Sequence, residues 1–253
     1  MKVCTLASGS KGNCVYVESN NNKFLIDIGI TNIQVEKRLA QINVNACDID
    51  AIFITHTHSD HINGLKVFSK KNKTKIYIKK KAYIEMTDLR LDNVIFIDDE
   101  VIINDIVIKA IKTSHDATDS VGYLIEDEKN SFVYMTDTGY IKQKNLKLIQ
   151  NKNIYVFESN HDVEMLLNGD YPYHLKQRIL GDNGHLSNKD SAIYMTKIFG
   201  DKTKKVILSH LSDKNNTKEL ALQTYNEVFK NKNLKLPNII VAEQNEVSEL
   251  IEL

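Results

Sequence analysis

The stretch His56-Thr57-His58-Ser59-Asp60-His61 places three of the chain's eight histidines and one aspartate within six consecutive positions. It directly follows residues 51–55, an apolar run with the composition of a buried β-strand. In an extended chain the side chains of His56 and His58 point to the same side, so both imidazoles can bind one metal ion. The stretch therefore predicts a metal site at the end of a buried strand.

The second half of the same stretch indicates a second metal ion. After the chain turns, Asp60 and His61 project from the start of a helix that is predicted to run through Leu65 and Phe68. Imidazole and carboxylate donors together favour zinc, manganese or iron over calcium or magnesium. The alternative is a polar loop in which Ser59 or Asp60 caps the helix, and so dense a group of histidines does not fit it.

The spacing H-x-H-x-D-H is the signature of the metallo-β-lactamase superfamily, which this chain resembles along nearly its whole length. Four more residues resemble the remaining motifs of that family, in the family's order and each after an apolar strand: Asp27, His115, Asp137 and His210. The resemblance extends from Met1 to about Ala242.

The resemblance implies a centre with two divalent metal ions (zinc, manganese or iron) and a role for each motif residue. The first ion would be held by His56, His58 and His115. The second ion would be held by Asp60, His61 and His210. Asp137 and a water or hydroxide would bridge the ions, Asp27 would orient the metal-binding loop from behind, and Asp60 would orient a metal-bound hydroxide as the nucleophile. Two cations ~3.5–4 Å apart lower the pKa of bound water and clamp a phosphoryl oxygen.

The pattern along the chain predicts two sheets enclosed by helices. Strands are expected at residues 2–7, 15–18, 24–28, 51–55, 75–78, 94–97, 101–103, 106–112, 121–126, 131–136, 154–158, 205–209, 239–242 and 248–251. Helices are expected at residues 35–42, 144–150, 173–180, 189–199 and 218–230. Strand-rich segments followed by alternating helix and strand fit an α/β (α+β) fold. We expect one domain, residues 1–253, with the four-layer αββα sandwich of the metallo-β-lactamase family.

Spacing excludes several branches of that family. A flavodiiron redox protein would carry Glu in place of His58. Asp137 follows His115 by only 22 positions, which leaves no room for the protruding arm of tRNase Z-type enzymes. His210 follows Asp137 by 73 positions, which are filled by predicted helices and a strand, so the inserted domain of β-CASP nucleases does not fit.

Three further segments resemble the YycJ/WalJ (VicX) subfamily, which is associated with 5′-to-3′ DNA exonuclease activity. They are residues 7–14, residues 158–162, and residues 171–188 with the sequence Gly184-His185-Leu186-Ser187-Asn188 near their end. In related phosphodiesterases a Glu–His pair near the metals protonates the leaving oxygen, and here Glu158 and His185 would take that role. A carboxylate beside an imidazole stabilises its protonated form, which suits a proton donor. The alternative for His185 is that it helps to cap the helix that follows.

Substrate contacts are predicted at two places. The glycine-rich loop that contains Ser10 and Asn13 either contacts phosphate or is simply a tight turn that needs glycine. Lys176 and Arg178 precede His185 and are placed to hold a phosphate near the leaving group. Eight lysines between residues 66 and 81 form either a solvated face or a surface for backbone phosphates, and His161 either lines the site or hydrogen-bonds within its loop.

Composition limits the class of protein. The chain has 253 residues, 33 basic and 33 acidic, so its formal net charge is zero. A neutral chain does not rely on overall attraction to nucleic acid or membrane. We find no signal peptide and no apolar run long enough to cross a membrane, and the three cysteines suggest neither disulfides nor a thiolate metal site. A cytoplasmic location is expected.

The sequence therefore predicts a dinuclear metal-dependent phosphodiesterase, with a 5′-to-3′ DNA exonuclease as the preferred interpretation and DNA as its substrate. A first alternative is a small-molecule hydrolase on the same metals, such as a cyclic phosphodiesterase, a lactonase or a thioesterase, since the same cations polarise carbonyl and phosphoryl oxygens. A second alternative is a nucleic-acid-binding protein without catalysis, which the complete set of ligand positions disfavours.

Overall fold

The computed structural model describes residues 1–86 and 89–253. The strands are β1 (Lys2–Ala7), β2 (Cys14–Ser19), β3 (Asn22–Ile26), β4 (Ala51–Phe53), β5 (Lys75–Ile78), β6 (Val94–Phe96), β7 (Glu100–Ile103), β8 (Ile106–Lys112), β9 (Val121–Glu126), β10 (Ser131–Met135), β11 (Ile154–Glu158), β12 (Lys205–Ser209), β13 (Ile239–Val241) and β14 (Ile251–Glu252). The helices are α1 (Asn32–Gln41), α2 (Ser59–Ile62), α3 (Leu65–Asn72), α4 (Lys80–Glu85), α5 (Gln143–Leu148), α6 (Val163–Asn168), α7 (Tyr173–Leu180), α8 (Asn188–Ile198) and α9 (Lys218–Asn231).

The strands form two sheets that share the same pattern of antiparallel and parallel pairing. The first sheet has the order β14-β1-β2-β3-β4-β5-β6 and the second β13-β12-β11-β10-β9-β8-β7. In the first sheet β1 to β3 pair antiparallel and β3 to β6 parallel. In the second sheet β7 to β10 pair antiparallel and β10 to β13 parallel. Each sheet therefore has an edge at which the carboxyl ends of its parallel strands come together.

Alternating side chains on the strands build the four layers. In β11, Ile154 and Val156 face the core between the sheets, whereas Tyr155 and Phe157 face outward. The inner faces of both sheets share that central core. Helices α1, α3 and α4 cover the outer face of the first sheet, and α5, α8 and α9 cover that of the second. The predicted αββα sandwich is confirmed, and the single domain expected for residues 1–253 stays a prediction.

The prediction of one helix that runs from Asp60 through Phe68 is wrong. The structure has two helices, α2 and α3, interrupted at Asn63 and Gly64. Gly64 lies against the chain after β3: its N–H donates to Ile28 O at 2.9 Å, and a Cβ there would lie 2.2 Å from Ile30 O. Because Gly64 has no side chain, the backbone at the break can approach the chain after β3 closely, and any side chain at this position would prevent that approach.

Helices α4 and α6 were not predicted, because six residues are too few to show helical periodicity in the sequence. The last strand lies one to three residues beyond its predicted position, where Ile251 and Glu252 pair with β1. Within the described ranges, no helix combines the length and the apolar character needed to cross a membrane.

Candidate metal centre

The predicted metal-centre residues all lie in segments that follow strands, with Asp60 and His61 at the start of α2. Asp27 follows β3, the histidine-rich stretch follows β4, and His115, Asp137 and His210 follow β8, β10 and β12. The backbone of Asp27, Asp137 and His210 is left-handed, with φ of 59°, 55° and 59°. A non-glycine residue in that conformation costs about 1–3 kcal/mol, so the surrounding fold must hold these three turns in place.

Three histidine nitrogens converge to form the first cluster. The distance from His56 Nε2 to His58 Nδ1 is 3.1 Å, and His58 Nδ1 lies 3.3 Å from His115 Nε2. Nitrogen ligands at the usual distance from a tetrahedral zinc ion are roughly 3.3–3.4 Å apart. Two of the three nitrogen pairs therefore have nearly the separation that one metal ion requires, and all three nitrogens lie within 4.8 Å of one another.

The second cluster combines carboxylates with two more imidazoles. His61 Nε2 lies 3.3 Å from Asp60 Oδ2 and 3.4 Å from Asp137 Oδ2, and His210 Nε2 lies 3.6 Å from Asp60 Oδ2. Asp137 Oδ1 is 3.8 Å from His115 Nε2 of the first cluster. Asp137 therefore lies between the two clusters, with one oxygen toward each.

Two buried atoms in the second cluster have no hydrogen-bond partner among the described residues: Oδ2 of Asp137 and Nε2 of His210. A buried polar atom without a partner costs about 1–3 kcal/mol, and a cation between them would remove that cost. The donor set of nitrogen and carboxylate oxygen also suits a transition-metal ion. The residues present therefore fit divalent metal binding at both clusters.

Asp27 holds the second cluster from behind. Its Oδ2 lies 2.7 Å from His61 Nδ1 and accepts a hydrogen bond from Thr55 Oγ1 at 2.8 Å, while its Oδ1 accepts from Thr55 N at 2.8 Å. A proton on His61 Nδ1 leaves Nε2 free to bind a metal ion. This contact is the one expected for Asp27 from the sequence.

Asn13 also lies behind the second cluster and is absent from the cavity lining. Its Nδ2 donates to Asp60 Oδ2 at 3.2 Å and lies 3.1 Å from His61 Nε2, and its Oδ1 accepts from Gly9 N at 2.9 Å. Asn13 was predicted to contact substrate, but in the structure its amide is buried and occupied by Asp60 and the glycine-rich loop. It positions Asp60 instead.

The charges within the clusters balance one another. Burial by itself raises the pKa of Asp60, but His61 and His210 lower it below its usual range. Burial by itself lowers the pKa of His210, whereas Asp137, Asp60 and Glu158 together raise it to about 10. Without a metal ion His210 therefore carries a proton that neutralises the carboxylates. Metal binding must displace such protons, so it is coupled to proton release.

Glu158 connects the metal centre to His185. Glu158 Oε1 lies 2.8 Å from His185 Nδ1 and 2.9 Å from His210 Nδ1, and its Oε2 accepts from the N–H groups of Thr138 and Leu186 at 3.1 Å each. Burial by itself raises the pKa of Glu158, but the two histidines lower it to about 2. An ionised Glu158 accepts a hydrogen bond from Nδ1–H of His185 and so orients its ring, which leaves Nε2 as the atom from which a proton could be given up.

A cavity of about 260 Å³ opens directly onto these groups. Its lining consists of Ser10, His58, Asp60, His115, Asp137, Asn160, Tyr171, Leu175, Arg178, Ile179, His185, His210 and Ser212. One side is polar and carries the metal-binding residues, and the other side is formed by α7 and the turn before it. The volume lies just below the range of about 300–1,000 Å³ that is common for small-molecule sites.

Only two of the four residues predicted to bind substrate line the cavity. Ser10 and Arg178 line the cavity, but Arg178 Nε already donates to Asp116 Oδ2 at 2.5 Å. The ammonium group of Lys176 donates to Leu167 O at 2.7 Å, and Lys176 is absent from the lining. Of these four residues, Ser10 and Arg178 therefore face the cavity, whereas the structure turns Lys176 and Asn13 to other partners.

The lysines between residues 66 and 81 do not converge on the metal centre. They lie in and around α3, β5 and α4, and none of them is among the cavity-lining residues of the described chain. Lys71 pairs with Glu36 at 2.7 Å, and Lys79 donates to Asp98 O. Closeness in sequence to the metal-binding stretch therefore does not bring these lysines to the site, because α3 lies on the outer face of the first sheet.

Sequence reasoning missed several residues of the site. Asp116 lies 3.4 Å from His115 Nε2 and 3.9 Å from His58 Nε2, and its place next to His115 in sequence was the only available signal. Asn160 donates to His210 O at 2.8 Å and so helps to hold that turn.

His161 is buried, neither of its ring nitrogens has a partner among the described residues, and burial lowers its pKa to about 4. Neither role expected for His161 is supported.

Comparison with known proteins adds a family and named relatives. A family model described as "Metallo-beta-lactamase superfamily" matches residues 7–210. The exodeoxyribonuclease WalJ of Streptococcus pneumoniae is 41% identical over 231 residues, which cover 88% of this chain and 86% of that protein. The exodeoxyribonuclease YycJ of Bacillus anthracis is 39% identical over 234 residues, which cover 90% of this chain and 88% of that protein.

A solved structure shares the overall fold. The metallo-beta-lactamase fold protein YhfI from Bacillus subtilis superposes with a TM-score of 0.75, covering 98% of this chain and 99% of that chain. Its sequence identity to this chain is 16%. The likeness therefore concerns the arrangement of sheets and helices and carries no information on substrate.

Proposed function

The chain belongs to the metallo-beta-lactamase superfamily, and from that membership and the geometry of the metal centre we propose that it is a metal-dependent hydrolase that degrades DNA from an end. The observation that carries the proposal is the Glu158–His185 pair, which lies against the metal-binding residues and contributes His185 to the same cavity. The relatives named as exodeoxyribonucleases, similar over most of their length, support the substrate class.

Two ions are proposed, one at each cluster. His56, His58 and His115 would hold the first, Asp60, His61 and His210 would hold the second, and Asp137 would serve both. Zinc, manganese and iron all suit these donors. When bound, such ions would polarise a phosphoryl oxygen and activate the attacking water.

Asp60 is proposed to orient the attacking water. It lines the cavity, its carboxylate is ionised, and Asn13 fixes one of its oxygens. A carboxylate held in this way can accept a hydrogen bond from the water and keep it aligned with the phosphorus atom, which reduces the entropy lost on reaching the transition state.

His185 is proposed to protonate the leaving oxygen, and Glu158 to hold it in place. The Nδ1 atom of His185 faces the ionised Glu158, and its side chain is 17% exposed where it lines the cavity. An alkoxide is a poor leaving group, so a positioned proton donor contributes about 10²–10⁴-fold to such a cleavage. A thioesterase has less need of this donor because a thiolate leaves readily, which favours the phosphodiester over the thioester substrate.

The 5′-to-3′ direction, the preference for DNA and a cytoplasmic location, where such a substrate is found, are parts of the same proposal. The test is to incubate metal-loaded protein with DNA labelled at the 5′ or the 3′ end, single- or double-stranded, and with RNA and a lactone in parallel. We expect metal-dependent loss of DNA from the 5′ end, abolished by a chelator and restored by the metal.

Two outcomes would contradict the proposal. Opening of the lactone with the DNA left intact would favour the small-molecule hydrolase. Tight DNA binding without any turnover in the presence of each candidate metal would favour a binding protein. A matched control is Lys70→Ala, because Lys70 is exposed on α3 and does not line the cavity.

A further inference from the structure

Helix α7 is an unusual element of this fold because none of its residues is fully buried. Instead, Leu175, Arg178 and Ile179 line the cavity, at the i, i+3 and i+4 positions that share one helix face. Tyr171, just before the helix, lines the cavity as well. The other members of α7 include Tyr173, which is 76% exposed, and Leu180. One face of the helix therefore lines the cavity and does not pack into the protein core.

Helix α7 and the turn after it contact the loop that carries His115 at several points. Arg178 pairs with Asp116, next to His115 in sequence. After the helix, Gly184 O lies 3.3 Å from His115 Nδ1, and Asn183 accepts a hydrogen bond from Ser114 Oγ at 3.2 Å. A carbonyl oxygen at Nδ1 leaves Nε2 of His115 to the metal. The α7 face and the first cluster are thus kept at a fixed separation.

Two close approaches explain why this attachment is tight. A Cβ at Gly139 would lie 2.3 Å from Asp182 O, and a Cβ at Gly184 would lie 2.1 Å from Ile179 O. Both glycines therefore permit backbone contacts that any side chain would prevent. The turn after α7 consequently packs directly against the segment that carries Asp137.

The two sides of the cavity differ in chemistry. The metal-binding side offers carboxylates and imidazoles, whereas Tyr171, Leu175 and Ile179 offer carbon surface. The ammonium of Lys214 lies 5.7 Å from the centre of the Tyr171 ring, a distance compatible with a cation–π contact. A nucleotide has the same division, with an anionic phosphate at one end and a flat, largely apolar base at the other.

We propose that Tyr171, Leu175 and Ile179 form a subsite for the nucleobase of the terminal nucleotide whose phosphodiester is cleaved at the metal centre. The inference rests on the proposed function and extends it. The cavity of about 260 Å³ lies just below the ~300–1,000 Å³ of sites that enclose small molecules, a size that favours a single nucleotide. Contact with the face of a base is tolerant of sequence, because every base has such a face.

The test compares two oligodeoxynucleotides that differ only at the end from which digestion proceeds, one with thymidine and one with a tetrahydrofuran abasic residue. For the wild type we expect a KM about tenfold lower for the thymidine end, because the abasic end lacks the base that the subsite would contact. Tyr171→Ala and the double substitution Leu175→Ala with Ile179→Ala should lose this preference. Both should keep the wild-type rate on the abasic end, which shows that the metal centre is intact.

Leu180→Ala is the matched control, since it removes the same side chain from α7 outside the cavity lining, and it should keep the wild-type preference. The subsite is overturned if the wild type cleaves both ends equally well, or if the variants slow both substrates by the same factor. The exonuclease proposal would survive either result. Failure of the wild type to cleave either oligonucleotide would instead contradict the proposed function itself, and the subsite with it.

Discussion

The two halves of the sandwich supply the metal centre in different ways. The half built on the first sheet contributes one continuous stretch, His56–His61, which follows β4. The half built on the second sheet contributes His115, Asp137 and His210 one at a time, from turns after β8, β10 and β12. The second set is spread over 96 positions of the chain and meets only in space.

The difference shows what each set depends on. The first stretch is shaped locally: His61 N donates to His58 O at 2.9 Å within the turn that begins α2. The second set depends on the pairing of whole strands, such as Phe157 in β11 opposite Met135 in β10 and Leu208 in β12. A slip of one residue in that pairing would turn every side chain of a strand to the other face, and both clusters would then lose the donors that the second half supplies.

The largest effect is expected at Asp137, the residue that joins the two halves. Asp137→Ala should lower kcat/KM on end-labelled DNA by at least about 10³-fold, because a shared carboxylate contributes several kcal/mol to holding and aligning both ions. Metal content by mass spectrometry should fall below that of the wild type. Two ions per chain with wild-type turnover would show that Asp137 is dispensable and that the halves bind metal independently.

The next largest effect on activity is expected at His185, which belongs to the second half alone. His185→Ala should slow cleavage of DNA by about 10²–10⁴-fold through loss of the proton donor. Cleavage of an activated aryl phosphodiester should change much less, since its leaving group needs no proton. Steady-state rates on both substrates measure the difference, and equal losses on the two would remove the proton-donor role from His185.

A smaller effect is expected behind the first half. Asp27→Ala should weaken metal binding by about 10–100-fold, because His61 loses the group that orients it. Titration of metal-free protein with zinc measures the affinity. The matched control is Asp127→Ala, which removes a carboxylate from a turn after β9 that is remote from both clusters. An unchanged affinity in Asp27→Ala would mean that the histidine-rich stretch holds its shape unaided.

The smallest effect is expected at the cavity rim of the second half, where Arg178 pairs with Asp116. Arg178→Ala should raise the KM for DNA about fivefold with little change in kcat, because an exposed charged contact contributes at most ~1 kcal/mol. Lys70→Ala should leave KM unchanged. A larger rise in KM for Lys70→Ala than for Arg178→Ala would restore the α3 lysines as the DNA-binding surface.

Much of the fold and of the metal centre could be predicted from the sequence. Asp27, the histidine-rich stretch, His115, Asp137 and His210 were identified from residue type and position after apolar strands, and the structure brings them together. The order of strands and helices predicted the four layers, because buried strands and amphipathic helices leave clear periodicities. Short helices such as α4 and α6 left none.

Contacts that depend on distance in space could not be read in the same way. Asn13 and Lys176 were expected to meet substrate, yet backbone geometry turns Asn13 toward Asp60 and Lys176 toward Leu167 O. Asp116 and Tyr171 were passed over, since a single aspartate or tyrosine in a loop has no distinguishing pattern. The lysine-rich segment had two open interpretations, and none of its described lysines lines the cavity, because nearness in sequence to the metal-binding residues does not imply nearness in space.

The sequence by itself determined the donor atoms, their order along the chain and the strands that carry them, since chemistry and periodicity are local properties of residues. Only the tertiary structure decided which donors share an ion, which side chains face the cavity, and that α7 closes it with an apolar face. Those outcomes depend on strand register and close packing between distant segments, and both are set by the fold as a whole.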